Sequence, residues 1–432
     1  MRKRTVLLIS VLLLAAGFLA GRLSAPPSRF EPGAIAGDDP LEQAWENFIS
    51  SQRESLSLLR NSEFYGDDQE RAEAYRAVLY NLVGSIRYNA LLDARYPRFA
   101  RAVDWSSKSG LDNPDNNYYV AKILGDASYR VSGSRGSTTG LVFQVLEGEP
   151  GVGQAGTSTT ISQLDAADLA IDADGNFEII LSPEDPGDAA NWLSNRPGAG
   201  TLLVRYTHAD WSKERAGRLN IERIGAAGEP APPLTPNRMA QGLESAAISL
   251  FDRTSTWLTY AGRAWQLMPR NGISAARPTR GGLEGQYSAF GSWELDNDQA
   301  LVITTWPGIA DYQGLQLGNL WFASLDYETR ISSLSSAQLS CAPDKPCKAV
   351  IAHRDPGVAN WLDTGGHRRG LIMLRWQGLD GDLADSRQPG AELVPLAELM
   401  DSLPPNEPLL DADQRREQRN QRRLETQRRF DG

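Results

Sequence analysis

Apolar and polar positions along this chain follow two different patterns. Over residues 41–92 apolar side chains recur at helical spacing, which predicts a helical hairpin. Over residues 118–224 short apolar runs are separated by clusters of Gly, Pro, Asn and Asp, a pattern typical of an antiparallel sandwich or barrel. The helical pattern followed by the strand-like pattern then occurs a second time, with a helical stretch at residues 238–267 and strand-like runs up to residue 378.

The second half of the chain repeats the first. Residues 161–187 align without a gap on residues 331–357, at a constant offset of 170, and 9 of the 27 positions are identical. The same offset relates TLLVRY at residues 201–206 to LIMLRW at residues 371–376. A period of this length indicates a tandem domain duplication, because solenoid repeats are about 20 to 50 residues long.

These patterns predict a mainly β fold with accessory helices, of the α+β class. We expect two tandem antiparallel β-sandwich domains, each preceded by helices, after an N-terminal membrane-spanning segment. The predicted parts are an N-terminal anchor or signal segment (1–21), a flexible tether (22–40), a helical hairpin with the first sandwich (41–225), a linker (226–237), a helix with the second sandwich (238–400) and an Arg-rich C-terminal helix (411–432).

The N-terminus has the composition of a targeting segment. The basic sequence MRKR precedes residues 5–21, which carry no charge. A cleavable signal peptide would end at Ala25, where the following Pro26 disfavours cleavage, so we favour an uncleaved inner-membrane anchor. Its basic end stays cytoplasmic, which places the globular part in the periplasm, or outside the cell if the segment is cleaved.

The two cysteines fit an exported protein. Cys341 and Cys347 align with Ile171 and Phe177, which flank a predicted β-hairpin turn in the first copy. Side chains that face each other across such a turn can meet disulfide geometry, and an oxidising compartment permits the bond. We therefore predict a Cys341–Cys347 disulfide; two unpaired buried thiols are the alternative.

The charge balance argues against a nucleic-acid binder, because 44 basic residues are outnumbered by 54 acidic ones. The C-terminal segment differs locally, with seven arginines against five acidic residues over residues 411–432. Two interpretations stay open for it: contact with phosphate or anionic lipid, or a solvated helix with intrahelical ion pairs.

The richest local chemistry lies in the second copy. Two of the three histidines of the chain, His353 and His367, fall within fifteen residues of each other, together with Asp355 and Asp363. A loop that brings the four together could serve as general acid and base, or bind a divalent metal mainly through the two histidines. Ordinary hydrogen bonding within the loop is the alternative, and no cofactor is identified by a strict motif.

Further ligand-binding candidates are polar and aromatic residues of the second copy. Asn360, Trp361 and Arg375 have counterparts in the first copy, which favours a structural explanation: Asn bonds local backbone, Trp fills a core and Arg pairs with a loop aspartate. A weaker pattern on the preceding strand adds the candidates Gln316, Asn319 and Trp321.

The runs DYQGLQLGNLWFASLDY and VIAHRDPGVANWLDTGGHRRGLIMLRW, with the Arg-rich tail, resemble the bacterial domain-of-unknown-function family DUF1214, often found beside DUF1254. The resemblance is specific for residues 301–376 and implies jelly-roll-like β-sandwiches, here with a DUF1254-like N-terminal part. It implies no established reaction.

Two functions remain as hypotheses. The first is a membrane-tethered module outside the cytoplasm that binds a glycan-like ligand or a partner protein without converting it. The second is a hydrolase or lyase that acts on a carbohydrate-like substrate through the His/Asp-rich loop of the second copy. Fold alone does not separate the two.

Overall fold

The structure is a computed structural model, and it describes residues 30, 39–153, 158–279, 282–342 and 345–431. The predicted anchor at residues 1–21 and most of the predicted tether lie outside these residues. Within the described part, no helix is both long enough and apolar enough to cross a membrane.

In the described part of the chain, four α-helices begin where the sequence supplies a cap. Asp39, Asp67, Thr235 and Asp411 each accept a hydrogen bond from a backbone N–H of the first helical turn, and Asp67 forms a full capping box with Glu70. The helices are α1 (Pro40–Arg60), α2 (Asp68–Ile86), α3 (Pro236–Leu267) and α4 (Ala412–Asp431).

The first β-domain contains two sheets. One sheet has the order β1-β2-β8-β4-β5 and the other β7-β6-β3-β9. The strands are β1 (Ala100–Val103), β2 (Asn116–Lys122), β3 (Tyr129–Ser134), β4 (Gly140–Glu147), β5 (Thr160–Asp165), β6 (Asn176–Ser182), β7 (Trp192–Ser194), β8 (Ala199–Thr207) and β9 (Leu219–Arg223).

The second β-domain repeats this arrangement. One sheet has the order β10-β12-β18-β14-β15, with β11 paired to β12, and the other has the order β17-β16-β13-β19. The strands are β10 (Gly272–Ile273), β11 (Arg277–Pro278), β12 (Tyr287–Glu294), β13 (Gln299–Thr305), β14 (Tyr312–Gly318), β15 (Ser333–Ser335), β16 (Cys347–Ala352), β17 (Trp361–Asp363), β18 (Arg369–Gln377) and β19 (Gly390–Pro395).

Strand order shows the duplication directly. The path β2-β8-β4-β5 matches β12-β18-β14-β15, and β7-β6-β3-β9 matches β17-β16-β13-β19. Most pairs are antiparallel, but the expectation of purely antiparallel domains needs correction. The short strands β7 and β17 lie parallel to β6 and β16, because each follows a DPG-containing loop that returns the chain alongside the last three residues of the preceding strand.

Each domain has its own core between its two sheets. In the first domain Phe143 and Val204 of one sheet pack with Ile179 of the other. In the second, Leu315 and Leu374 pack with Ile351 in the same way. The mainly β fold with accessory helices is therefore confirmed.

The helices α1, α2 and α3 form one layer, although the sequence predicts a hairpin for the first sandwich and a separate helix for the second. Phe48 of α1 packs with Leu243 and Phe251 of α3. Val78 of α2 joins Leu250 of α3 in a second cluster, which extends to Met373 on β18. The helix that precedes the second sandwich thus completes the helical hairpin that precedes the first.

The predicted disulfide is present. The β-hairpin expected around it needs correction, because Cys341 lies outside any strand and β16 begins only at Cys347. Cys341 and Cys347 are bonded, with their Cα atoms 5.5 Å apart. Asn360 donates a hydrogen bond to the carbonyl of Lys348, one residue after Cys347, at 3.1 Å.

The Arg-rich helix α4 is anchored by three arginines, so it is not simply a solvated helix. Arg415, Arg422 and Arg429 stand seven residues apart, and each is less than 5% exposed. Arg415 forms an ion pair with Asp355 at 2.8 Å in the second domain, whereas Arg429 donates to the carbonyl of Pro114 at 2.9 Å in the first. The helix therefore bridges the two domains.

We expect Arg422→Ala to lower the free energy of unfolding by about 2–3 kcal/mol, because Tyr327 O and Ser333 Oγ would lose a charged donor inside the protein. Urea unfolding measures the change. Arg423 lies on the exposed side of the same helix, and Arg423→Ala should alter the free energy by less than about 0.5 kcal/mol. Equal losses in the two variants would contradict the buried role of Arg422.

Candidate functional site

The candidate site is a cavity of about 280 Å³ between the two β-domains, with α3 along one side. Strand alternation decides which side chains reach it. On β8, Leu202 and Val204 enter the first core, so Leu203 and Arg205 face the cavity. Strand β18 behaves in the same way and presents Met373 and Arg375, which are the residues equivalent to Leu203 and Arg205.

The two arginines are bound in the same way in both domains. Arg205 donates to the side-chain oxygen of Gln144 on β4, and Arg375 donates to that of Gln316 on β14. Arg375 also donates to the carbonyl of Leu111. Two equivalent Arg–Gln pairs, one from each domain, therefore meet at one cavity.

Positive charge dominates the described lining of this cavity. The lining contains four arginines and a single carboxylate, that of Asp112. Asp112 is 3% exposed, and its carboxylate already accepts hydrogen bonds from the backbone and hydroxyl of Ser324 at 3.1 and 2.8 Å. The arginines are Arg87, Arg205, Arg253 and Arg375.

Two of these arginines have acidic partners and two do not. Arg87 lies 3.5 Å from Asp104, and Arg253 lies 2.7 Å from Glu149. Neither Arg205 nor Arg375 forms an ion pair with a carboxylate in the described part of the chain. Burial lowers the pKa of Arg205 below its ordinary value, and the charge of Arg375 acts in the same direction, against an opposing effect of Tyr118.

An aromatic wall covers another side of the cavity. Trp257 stacks on Phe322 with ring centroids 5.8 Å apart, and Tyr260 contacts both rings. Phe322 and Leu111 hold left-handed backbone, with φ of 59° and 51°, and both line the cavity. Bulky residues rarely adopt this conformation, which costs about 1–3 kcal/mol and is concentrated at functional sites.

Three buried polar atoms of the lining have no hydrogen-bond partner among the described residues. They are Ser109 Oγ, Ser158 Oγ and Trp257 Nε1. Buried polar atoms are normally bonded, so a cavity with several unbonded donors can accept a polar ligand or ordered water.

The structure separates the residues of the His/Asp-rich loop. His353 bonds Thr364 Oγ1 at 2.7 Å and the carbonyl of Leu295 at 3.0 Å, so both ring nitrogens are used. Asp363 pairs with Arg330 at 2.8 Å, and Asp355 pairs with helix α4. No group of three metal-binding side chains occurs among the described residues, so the metal hypothesis for His353 and His367 gains no support.

His367 lies elsewhere, in a second cavity of about 440 Å³ between α2 and the second domain. Its Nε2 is 2.8 Å from Glu73 Oε2, and its Nδ1 is 2.8 Å from the carbonyl of Thr364. Burial lowers the pKa of His367, but the hydrogen bond and charge of Glu73 outweigh it and leave the pKa raised. A charged imidazole that donates to both acceptors fits this geometry.

The other ligand-binding candidates are structural, apart from Arg375 and its partner Gln316. Asn360 bonds the backbone of Ser340 at 2.8 and 3.2 Å, as the equivalent Asn191 bonds Ala170. Trp361 is 2% exposed and donates to the carbonyl of Ala352 at 3.0 Å.

Two candidates face the helical layer. Asn319 donates to Glu73 Oε2 at 2.8 Å and also lines the second cavity. Trp321 donates to the carbonyl of Glu70 at 3.0 Å and belongs to the helix-facing core. Arg205 and Gln144 are not among the residues predicted from sequence. The offset of 170 relates Arg205 to Arg375 and was an available signal, whereas Gln144 and Gln316 are 172 residues apart and become equivalent only through strand register.

Comparisons with known proteins agree on family and leave activity open. The model of the family described as "Protein of unknown function (DUF1214)" matches residues 152–210. The crystal structure of a putative uncharacterized protein from Burkholderia cenocepacia is 31% identical, with a TM-score of 0.76, and the match covers 83% of this chain and 99% of that one. The chain belongs to the DUF1214 family.

This DUF1214 match lies in the first domain, so the placement of the specific resemblance at residues 301–376 needs correction. The duplication relates the matched residues 152–210 to residues 322–380 of the second domain. The DUF1254-like N-terminal part is not shown. The VPA0106 protein from Vibrio parahaemolyticus aligns over 79% of this DUF1214 chain and 100% of its own, at 10% identity and a TM-score of 0.42. No curated protein matches.

The raised pKa of His367 predicts a loss of stability in alkali. A group whose pKa is raised on folding stabilises the protein fully below its unfolded pKa of about 6.5, and this contribution is lost as pH rises through the folded pKa. We expect the free energy of unfolding of the wild type, measured in urea between pH 6 and 9, to fall relative to that of His367→Gln. Glu73→Gln removes the charged partner and should remove the same difference. A constant difference between wild type and His367→Gln over this range would contradict the ion pair.

Proposed function

We propose that this protein binds a small organic anion in the cavity between its two β-domains, and does not convert it. The observation that carries the proposal is the pair Arg205 and Arg375, two guanidinium groups that face one cavity without a carboxylate partner among the described residues. Charges removed from water are costly unless they are paired, so such a pair favours an anionic ligand.

The rest of the lining supports a ligand that is partly apolar. The aromatic wall of Trp257, Tyr260 and Phe322 offers an apolar surface in a cavity that also contains polar groups without partners among the described residues. Ligand sites commonly combine an apolar lining with a few placed polar groups. At about 280 Å³, roughly nine times the volume of a water molecule in the liquid, the cavity suits a small metabolite.

Binding has more support than catalysis. The described lining contains no histidine or cysteine, and its one carboxylate is engaged by Ser324. The hydrolase or lyase hypothesis relied on four side chains of the His/Asp-rich loop, each of which has its own structural partner. The excess of arginine favours an organic anion over the glycan-like ligand or partner protein expected from sequence.

We further propose that the binding domains lie outside the cytoplasm, on the inner-membrane anchor at residues 1–21 or released from it. The basic N-terminus, the uncharged run and the Cys341–Cys347 disulfide support this location. The jelly-roll-like form of the two sandwiches, supported by the repeated strand order, and a DUF1254-like N-terminal part belong to the same proposal.

Butyrate and its neutral isostere butyramide test the binding of an anion. We expect butyrate to raise the melting temperature of the wild-type protein and butyramide to leave it unchanged, because only butyrate can pair with the guanidinium groups. A ligand at ten times its dissociation constant adds about 1.4 kcal/mol of stability.

The variant Arg205→Met tests whether the response to butyrate depends on Arg205 independently of the stability of the protein. The substitution removes the hydrogen bond to Gln144 and the contact of the guanidinium group with the Tyr118 ring, but it also removes one of two neighbouring like charges, so we expect the ligand-free protein to be about as stable as wild type. The response to butyrate should disappear. The exposed Arg53 provides the matched control, since Arg53→Met should keep the full response. Loss of stability together with a retained butyrate response would contradict the proposal.

A further inference from the structure

We infer that the ligand of the interdomain cavity is a dianion, a short dicarboxylate or a molecule of similar charge, with one acidic group on Arg205 and the other on Arg375. The inference rests on the proposed function and specifies the class of ligand. It follows from three features of the cavity: its internal symmetry, its charge balance and its apolar middle.

The two halves of the cavity are related by an approximate twofold axis. Gln144 of the first domain donates to the carbonyl of Gly282 in the second at 3.4 Å, and Gln316 of the second donates to the carbonyl of Asp112 in the first at 2.9 Å. Gln144 and Gln316 are equivalent by strand register, since they lie opposite Leu203 and Met373. Gly282 and Asp112 are 170 residues apart, so the two contacts are equivalent. A self-complementary contact of this kind is the hallmark of a twofold interface.

The end of each central strand continues this relation. Thr207 on β8 lies 3.4 Å from Gln377 on β18, oxygen to oxygen, and the two residues are again 170 positions apart. Residues that contact their own equivalents lie next to the axis. Arg205 and Arg375, two positions before them, therefore face the cavity from opposite sides of the same axis.

The charges of the lining leave a surplus of two positive charges once Asp112 is set against Lys108, whose buried ammonium group interacts with that carboxylate. Arg253 and Glu149 neutralise each other at 2.7 Å, as Arg87 and Asp104 do at 3.5 Å. The remaining guanidinium groups, on Arg205 and Arg375, carry two positive charges. A monoanion neutralises one of them and leaves the other buried, whereas a dianion neutralises both.

Each guanidinium also has donors left for its own acidic group. An arginine carries five N–H donors. Among described residues, Arg205 uses one with Gln144, and Arg375 uses two, with Gln316 and Leu111. Both can therefore bind a carboxylate through two parallel hydrogen bonds.

The space between the two ends of the ligand is apolar. Val120 and Leu203 of the first domain and their equivalents Phe290 and Met373 of the second line the cavity, with Trp257 of α3 beside them. A hydrocarbon or aromatic spacer fits this surface, whereas a spacer with further charges would bury them without partners.

Succinate and butyrate test the inference, because they share a four-carbon chain and differ in one carboxylate. Titration calorimetry at pH 8 and equal ionic strength gives the two dissociation constants for the wild-type protein. We expect succinate to bind roughly 10- to 100-fold more tightly, the effect of one further hydrogen-bonded charge pair. Glutarate and valerate repeat the comparison with a spacer one carbon longer.

Two substitutions of Arg205 test whether the ratio of the butyrate and succinate dissociation constants depends on the arginine pair. Arg205→Met removes a charge and should reduce the preference for succinate to less than about threefold, whereas Arg205→Lys keeps the charge and should keep most of the preference. Binding of both acids with equal affinity by the wild type would overturn the inference and leave anion binding intact. Binding of neither acid would overturn the proposed function, and the inference with it.

Discussion

Two guanidinium groups that share one cavity, without a carboxylate partner among the described residues, are the constraint on which this structure depends. Arg205 and Arg375 stand on the central strands β8 and β18, and each is positioned by a glutamine from the next strand. Burial of such a pair works against folding. The surrounding contacts compensate: the glutamines bond across the domain interface, α3 closes one side, and α4 bridges the two domains through buried arginines.

Duplication explains how one chain comes to have such a site. Each sandwich uses one face of its larger sheet for its own core and presents the other face to its copy. Residues whose side chains point away from the two cores meet across an approximate twofold axis and enclose the cavity. The helical layer then adds the aromatic wall that the sheets alone do not supply.

Much of the fold could be predicted from sequence because it follows from local pattern. Strand-like runs predicted the two β-domains, and the alignment of Cys341 and Cys347 with residues on either side of a turn in the other copy predicted the disulfide. The backbone-bonding role of Asn360 also followed, since Asn191 does the same in the first copy.

The site required information that local pattern does not contain. Presence in both copies favours an architectural role, and for Arg375 it predicts a pairing with a loop aspartate. That pairing is wrong, because the arginine bonds Gln316. A position that both copies share can also build a symmetric site between them. Histidines are rare in this chain, which makes His353 and His367 candidates for chemistry. Their partners, Leu295 and Glu73, are distant in sequence and could not be predicted from residue spacing. Likewise, the arginines of α4 reach buried acceptors that only the tertiary structure brings together.

The most direct test of this account is an anomalous diffraction map from crystals of the protein soaked in bromide. Bromide is a small anion whose position such a map identifies without ambiguity. The account predicts the strongest bromide peak in the interdomain cavity, in contact with the guanidinium groups of Arg205 and Arg375. Bromide bound at surface arginines while the cavity holds none would contradict it.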